Sequence, residues 1–587
     1  MTRALQLLPI PRNLALLGGS LERGDARAAS VQSVLDPNSA LPAQGYQLEI
    51  DAQGIRIHAP DQSGLRYGQS TLEQIRAQCD AELPALRIRD WPDFPVRGYM
   101  LDVSRDRVPT QTSLLALVDT LATLRINQLQ LYTEHTFAYS KHAQVWRDAS
   151  PLPPEEIRAL DERCAERGIE LVPNQQSFGH MERWLRHPAY RALAECPEAE
   201  RPSCLAPTPE SVNFMCSLYA ELLPCFRSQT LNIGCDETFE LGQGRSRSTC
   251  DTQGRGRVYL DYVLRLLEGL HAEGRSVQFW GDIVRGHPEL TQELPREKLI
   301  ALVWGYEAPQ DPDTLPSEVR TTLARFGVSP QSLQGFEWRV RPFAEAGLPF
   351  YVCPGTSSWN SLLGRLPNAR ANLLDAARTG LAQGASGYLI TDWGDNGHQQ
   401  PPCISLPPLA YGAAVSWCAE TNAELELESA LAAFLTRDRD GALAHALLEL
   451  GALYQTLGLR TLNGSPLALS LLTPRGERLR TWGETNALEL EAVIRTLEQE
   501  SETLARAAPL TPDDEQVRSE LRQAAALARQ GAWRLGEIVL GQSPPANMRR
   551  ELEVCIEQQQ RVWLARSRPG GLPDSLARLT GLRDEDD

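Results

Sequence analysis

The chain has 587 residues, 42% of them hydrophobic and 23% charged, with a formal net charge of −17. That length accommodates several domains, one of them large enough for an enzyme core. The acidity disfavours a nonspecific grip on nucleic acid or an anionic membrane, since both need a basic face to displace counterions.

The start, Met1-Thr2-Arg3-Ala4-Leu5-Gln6-Leu7-Leu8-Pro9, lacks the sustained apolar run and cleavage site of a secretion signal. No later stretch reaches the roughly 18 apolar residues of a membrane span. A cytoplasmic protein is expected. The 12 cysteines are scattered, without Cys-x-x-Cys or His-Glu-x-x-His, so neither a metal site nor a cofactor is signalled. Cys196 and Cys204 would bridge only in an oxidising compartment.

In chain order, Tyr46-Gln47-Leu48-Glu49-Ile50 alternates, Asp51-Ala52-Gln53-Gly54 turns, and Ile55-Arg56-Ile57-His58-Ala59 alternates again, a hairpin pattern. Leu65, Tyr67, Gly68, Leu72 and Ile75 mark the apolar face of a following helix, and Arg87-Ile88-Arg89 reads as a short strand. Residues 1–94 therefore form a small α+β domain.

From Arg97 the rhythm changes to short apolar runs separated by helical segments, the alternation of parallel βα units. The runs are 99–103, 129–132, 170–173, 231–234, 277–280, 300–304, 350–353 and 387–391, and eight such units close a TIM barrel over 95–420. Leu114, Leu117, Val118, Leu121 and Leu124 recur at helical spacing between them, as do positions in 158–167 and 259–270. Beyond 420 the strands vanish. Segments rich in Leu, Ala, Glu and Arg, such as 487–506, 514–540 and 548–564, make 421–587 a helical domain.

In this barrel the reactive groups sit just past the carboxyl ends of the strands. Those ends carry Ser104-Arg105, Glu134-His135, Asn174 to His180, Asp236-Glu237, Asp282, Tyr306-Glu307, Trp359-Asn360 and Asp392 to Asp395. Adjacent carboxylates such as Asp236 and Glu237 repel, so their surroundings must divide them into an acid and an anion, a division that suits glycosidic bond cleavage. The bland alternative is that they only cap the turn after the strand. Trp280, Trp304, Trp359 and Trp393 lie at the same ends, where indole faces could stack on a pyranose, although any single one could be core packing. Arg105 offers a forked donor for vicinal hydroxyls, or a rim salt bridge to Asp102. His180 is either a site residue or a satisfied core histidine.

These stretches closely resemble glycoside hydrolase family 20, the β-N-acetylhexosaminidases. Arg97-Gly98-Tyr99-Met100-Leu101-Asp102-Val103-Ser104-Arg105 is similar to the family's first-strand motif, and Gly234-Cys235-Asp236-Glu237 to its catalytic motif. Gln176 to Glu182 and Ile233 to Gly242 are most similar to the hexosaminidase D-like branch. The resemblance covers about residues 1 to 420. It implies Glu237 as general acid and then base, and Asp236 as the group orienting the substrate's own 2-acetamido, whose carbonyl oxygen attacks the anomeric carbon. It further implies Arg105 on O3 and O4, with Trp280, Trp304 and Trp393 walling the sugar. Tyr306, Trp359, Asp395, His180 and Glu134 complete the expected binding set, the last two by family analogy alone. Asp395 stands where many members have glutamate, and Trp359-Asn360 where many have a tyrosine on the acetamido carbonyl, which leaves that role unassigned. The expected ligand is a glycan ending in N-acetylglucosamine or N-acetylgalactosamine; self-association, including a homodimer, stays open.

Two rivals follow from the same residues. In one, Glu237 is the acid and Glu134 or Asp282 an enzyme nucleophile, giving a retaining glycosidase indifferent to the acetamido group. In the other, the barrel binds carbohydrate without catalysis.

Overall fold

The computed structural model describes residues 5–22, 30–79, 82–315, 317, 319–321, 329–474, 477 and 479–584. The amino-terminal unit is a mixed sheet of β1 (Asn13–Glu22), β2 (Val31–Leu35), β3 (Tyr46–Asp51), β4 (Gly54–Ala59) and β5 (Glu82–Asp90), in the order β1-β5-β3-β4-β2. β3 and β4 pair antiparallel with Ile50 opposite Ile55. The helix Gln62–Gln78 begins at Asp61, whose side chain accepts from the Gly64 N–H, and lays Leu65, Tyr67, Leu72 and Ile75 on the sheet. Sequence reading missed β1 and β2 and caught only the end of β5. In β1 the alternation is broken by Gly18-Gly19, where the register with β5 shifts, and Leu14, Leu16 and Leu17 are exposed.

A buried ion pair joins this unit to the next. Asp90 accepts from Arg125 Nη1 at 2.8 Å, Tyr46 Oη at 3.0 Å and Trp417 Nε1 at 3.0 Å, so the charge leaves water fully partnered.

The barrel consists of β6 (Val96–Asp102), β7 (Gln128–Tyr132), β8 (Glu170–Val172), β9 (Thr230–Asn232), β10 (Ser276–Trp280), β11 (Leu299–Trp304), β12 (Phe350–Cys353) and β13 (Gly387–Asp392). All neighbours are parallel, and a bridge between Asn174 and Asn232 closes β8 onto β9. Strands covered on both faces are buried along their length, as in β7, β12 and β13. The interior is divided. Met100, Trp280, Leu302, Tyr351, Trp359, Leu389 and Trp393 fill one side, while on the other the Gln130 amide donates to Gln278 and accepts from Asn174 and Asn232. A buried amide left without partners would be costly, and Gln130 uses both its nitrogen and its oxygen on these neighbours.

Past the helix Leu406–Trp417 the chain is helical, with long helices at Ala487–Arg506, Pro512–Leu540 and Met548–Arg566 around their own core of Leu467, Leu471, Val493, Leu497, Leu521 and Leu535. This region grips the barrel's upper rim. Glu520 accepts from the Cys403 N–H, Arg568 donates to the Pro109 carbonyl, and Arg578 pairs with Asp106. A connecting segment, residues 458–465, lies against the loop after β12: the Ser465 N–H donates to the Asn360 carbonyl at 2.9 Å and its hydroxyl to the Ser361 carbonyl at 2.8 Å. Gly464 fits because a Cβ there would sit 3.0 Å from that Asn360 oxygen.

Candidate active site

A cleft of about 410 Å³ opens at the carboxyl ends of the strands, lined by Arg105, His180, Asp236, Glu237, Trp304, Tyr306, Trp393 and Asp395 among others. Its acidic end comes from β8 and β9. β9 ends at Asn232, earlier than the apolar run suggests, and Gly234, Cys235 and Glu237 all take positive φ. Successive strand residues face opposite ways, so only such a bend brings both carboxylates to one cleft. Gly234 is required at φ +69°, where a Cβ would also lie 2.3 Å from Gln176 Oε1.

Gln176 clamps this bend. Its Oε1 accepts from the Cys235 N–H at 2.7 Å and its Nε2 donates to Asp236 Oδ1 at 2.6 Å. His180 Nε2 lies 3.6 Å from Asp236 Oδ2 and 3.3 Å from Glu237 Oε2. Burial alone would raise the Asp236 carboxyl, but the His180 and Gln176 contacts outweigh it and hold the carboxyl below its ordinary value. Burial alone would likewise depress His180, and the adjacent Asp236 carboxylate at 3.6 Å holds it well above its ordinary value. Asp236 is the deeper of the two acids, its side chain 9% exposed against 35% for Glu237. The inner group is therefore the anion, and the outer one faces the mouth.

Arg105 is both a cleft residue and a rim ion pair. Its Nη1 donates to Asp102 Oδ2 at 2.9 Å, its Nε lies 3.1 Å from Glu134 Oε1, and Asp395 Oδ1 is 3.9 Å from Nη1. Burial pushes Glu134 up to about 7 despite that guanidinium, and Tyr132 Oη donates to it at 3.0 Å. Glu134 lies behind Arg105 and does not line the cleft. Asp282 also stands outside it, its Oδ2 accepting the Glu237 N–H at 3.1 Å; burial and the Asp236 charge push its carboxyl up to about 7. His135 is buried in a separate small cavity with Ser104 and Arg183.

The four-tryptophan rim needs correction. Trp304 and Trp393 line the cleft, but Trp280 and Trp359 are essentially fully buried and do not. Trp280 ends β10 pointing into the barrel, where it packs on Trp393 with ring centroids 5.6 Å apart as part of the floor. Trp359 donates its N–H to Asn463 Oδ1 at 2.7 Å. Tyr306 stacks on Trp304, and its hydroxyl accepts from Trp393 Nε1 at 2.8 Å, which leaves its own proton free to donate.

Several cleft residues carried no sequence signal. Arg285 and Arg339 flank the Trp338 ring, and Leu462 and Asn463 arrive from the helical domain. Gln176 had a signal, its place in the strand-three motif, but no role was drawn from it. Among the described residues no group of three or more His, Cys, Asp or Glu side chains could hold a metal ion, and no helix is long and apolar enough to cross a membrane.

Comparison with known proteins bears on this arrangement. Residues 7–91 match the model for glycosyl hydrolase family 20, domain 2, and residues 94–320 the model for glycosyl hydrolase family 20, catalytic domain. Human hexosaminidase D is 25% identical over 323 residues, covering 54% of this chain and 63% of that protein. A lacto-N-biosidase of Bifidobacterium bifidum is 23% identical over 316 residues, 51% of this chain and 28% of its own length. The chain thus spans less than two thirds of these curated relatives, and their similar identities favour no single branch. The X-ray structure of Flavobacterium johnsoniae chitobiase superposes with a TM-score of 0.58 at 17% identity, covering 98% of both chains, so the three-part architecture is shared throughout.

Proposed function

Because the chain belongs to glycosyl hydrolase family 20, we propose that it is an exo-acting β-N-acetylhexosaminidase that releases terminal N-acetylglucosamine or N-acetylgalactosamine with retention, using the substrate's acetamido group as nucleophile. The observation that carries this reading is the bend at residues 234–237, which sets a deep anionic Asp236 beside a shallower Glu237.

In the first step the acetamido carbonyl oxygen bonds to the anomeric carbon as the glycosidic C–O bond breaks. Glu237 delivers its proton to the leaving oxygen. Asp236 accepts a hydrogen bond from the acetamido N–H and balances the positive charge of the oxazolinium, while Tyr306 donates its free proton to the acetamido oxygen as the new bond develops there. In the second step Glu237, now ionised, takes a proton from water as the water oxygen bonds to the anomeric carbon and the bond from that carbon to the acetamido oxygen breaks, which restores the acetamido group and the β configuration. Arg105 binds O3 and O4, and Trp304 and Trp393 supply the apolar walls. His180 holds Asp236 ionised.

The rival with an enzyme nucleophile is disfavoured by where its candidates lie. Glu134 is engaged by Arg105 and Tyr132, Asp282 by the Glu237 backbone, and neither lines the cleft. Likeness in Gln176 to Glu182 supports the hexosaminidase D-like branch within the family. A stable thiazoline mimic of the oxazoline tests the proposal: competitive inhibition, weakened by Asp236→Asn, is expected, and absence of inhibition would overturn it.

A further inference from the structure

Asn463 belongs to the helical domain, outside the residues matched by the family models, yet it lines the cleft beside Asp395. Both of its backbone polar groups are bonded to the barrel. Its N–H donates to Glu307 Oε1 at 2.8 Å, and Glu307 is itself fixed by two 2.9 Å bonds from Arg365. Its carbonyl accepts from Asn360 Nδ2 at 3.1 Å. It holds φ at +54°, an uncommon conformation that asparagine tolerates better than most residues.

The side chain is oriented by chemistry. The indole N–H of Trp359 can only donate, so the atom facing it at 2.7 Å must be the amide oxygen. That puts Nδ2 on the opposite side, 3.3 Å from Asp395 Oδ2. One of its two hydrogens serves Asp395, which leaves a second donor at the edge of the cleft next to a carboxylate acceptor. Arg105 stands on the other side of Asp395, 3.9 Å away.

We propose that Asn463 is a specificity-determining residue, its Nδ2 and the Asp395 carboxylate forming a donor and acceptor pair that reads the C4 and C6 hydroxyls of the terminal sugar. The inference rests on the hexosaminidase reading of the cleft and gives the helical domain a role in it. A loop of another domain is placed there by three barrel loops, those carrying Glu307, Trp359-Asn360 and Asp395.

The test is kcat/KM for the full chain and its Asn463→Ala and Asn463→Asp variants on three aryl β-glycosides: N-acetylglucosamine, its C4 epimer and its 6-deoxy analogue. Asn463→Asp keeps an acceptor for Trp359 and the side-chain size while removing the amide donor, but it sets a second carboxylate about 3.3 Å from Asp395, so a change counts for the inference only where Asn463→Ala shifts selectivity in the same direction. A fall of about tenfold or more is expected on N-acetylglucosamine, the order of one lost hydrogen bond to a desolvated group. The fall should be clearly smaller on at least one of the other two, so that the selectivity ratio changes. An equal fall on all three, or none on any, would overturn the inference. Failure of the wild-type chain to cleave any acetamido glycoside would instead overturn the functional reading beneath it.

Discussion

The two ends of the cleft are built differently. The acidic end, with Gln176, His180, Asp236 and Glu237, comes from two adjacent strand ends of one sheet, and its geometry is fixed by backbone bends only a few residues long. The far end, with Arg105, Asp395 and Asn463, is assembled from the first and last barrel strands and a segment of a separate helical domain. A cluster made locally can be read from a motif. A member brought in by docking cannot, because nothing near Asn463 in the chain indicates which surface it will meet, whereas Arg105 and Asp395 were legible from their own strand ends.

The sharpest way to separate the two ends is Glu237→Gln. It should lower kcat by about 10²–10⁴-fold with little change in KM, since the lost proton transfer belongs to the transition state. Comparable turnover by the variant would remove Glu237 from its role. Asp236→Asn comes next, with an expected loss of about 10²–10³-fold on acetamido substrates, the scale of removing one group that stabilises developing charge. Steady-state kinetics on one aryl glycoside checks both.

His180→Gln should act through its neighbour. Asp236 is held below its ordinary value by His180, so its ionised form is lost only as pH falls through that depressed value. Removing His180 should move the acidic limb of the kcat profile to higher pH; an unmoved limb would mean that His180 does not control Asp236. Because His180 is raised, the stabilisation from this pair is present below its ordinary value and fades as pH rises through the raised one.

Smaller effects belong to supporting residues. Asp282 titrates at about 7 in the fold and near 3.8 when free, so its ionisation costs stability progressively from about pH 4 to pH 7. The melting temperature of Asp282→Asn relative to the wild type should therefore climb over that window and level off above it. Trp359→Phe keeps the buried ring but frees Asn463 Oδ1, and should alter epimer selectivity by a few fold, the scale of one modest hydrogen bond, while leaving the pH profile in place. A shifted profile would show that the two ends are not separable.

Much of the architecture was legible from pattern alone. Buried parallel strands read as apolar runs, which is why all eight barrel strands fall on predicted segments, whereas β1, with its Gly18-Gly19 irregularity and exposed leucines, resembles a loop. The tryptophans show the limit. A place at a strand end does not decide whether a ring faces the cleft or the barrel interior, and Trp280 and Trp359 lie inward, packed on Trp393 and Tyr306 respectively. Hydrogen-bond partners such as Gln176 and Asn463 depend on contacts that only the folded chain creates.

The central claim is that the nucleophile comes with the substrate. Its most direct test is kcat/KM on matched chromogenic β-glycosides of N-acetylglucosamine, N-acetylgalactosamine and glucose. Cleavage of the acetamido sugars with the glucoside silent is the predicted result; comparable cleavage of the glucoside would require an enzyme nucleophile and contradict the role given to Asp236.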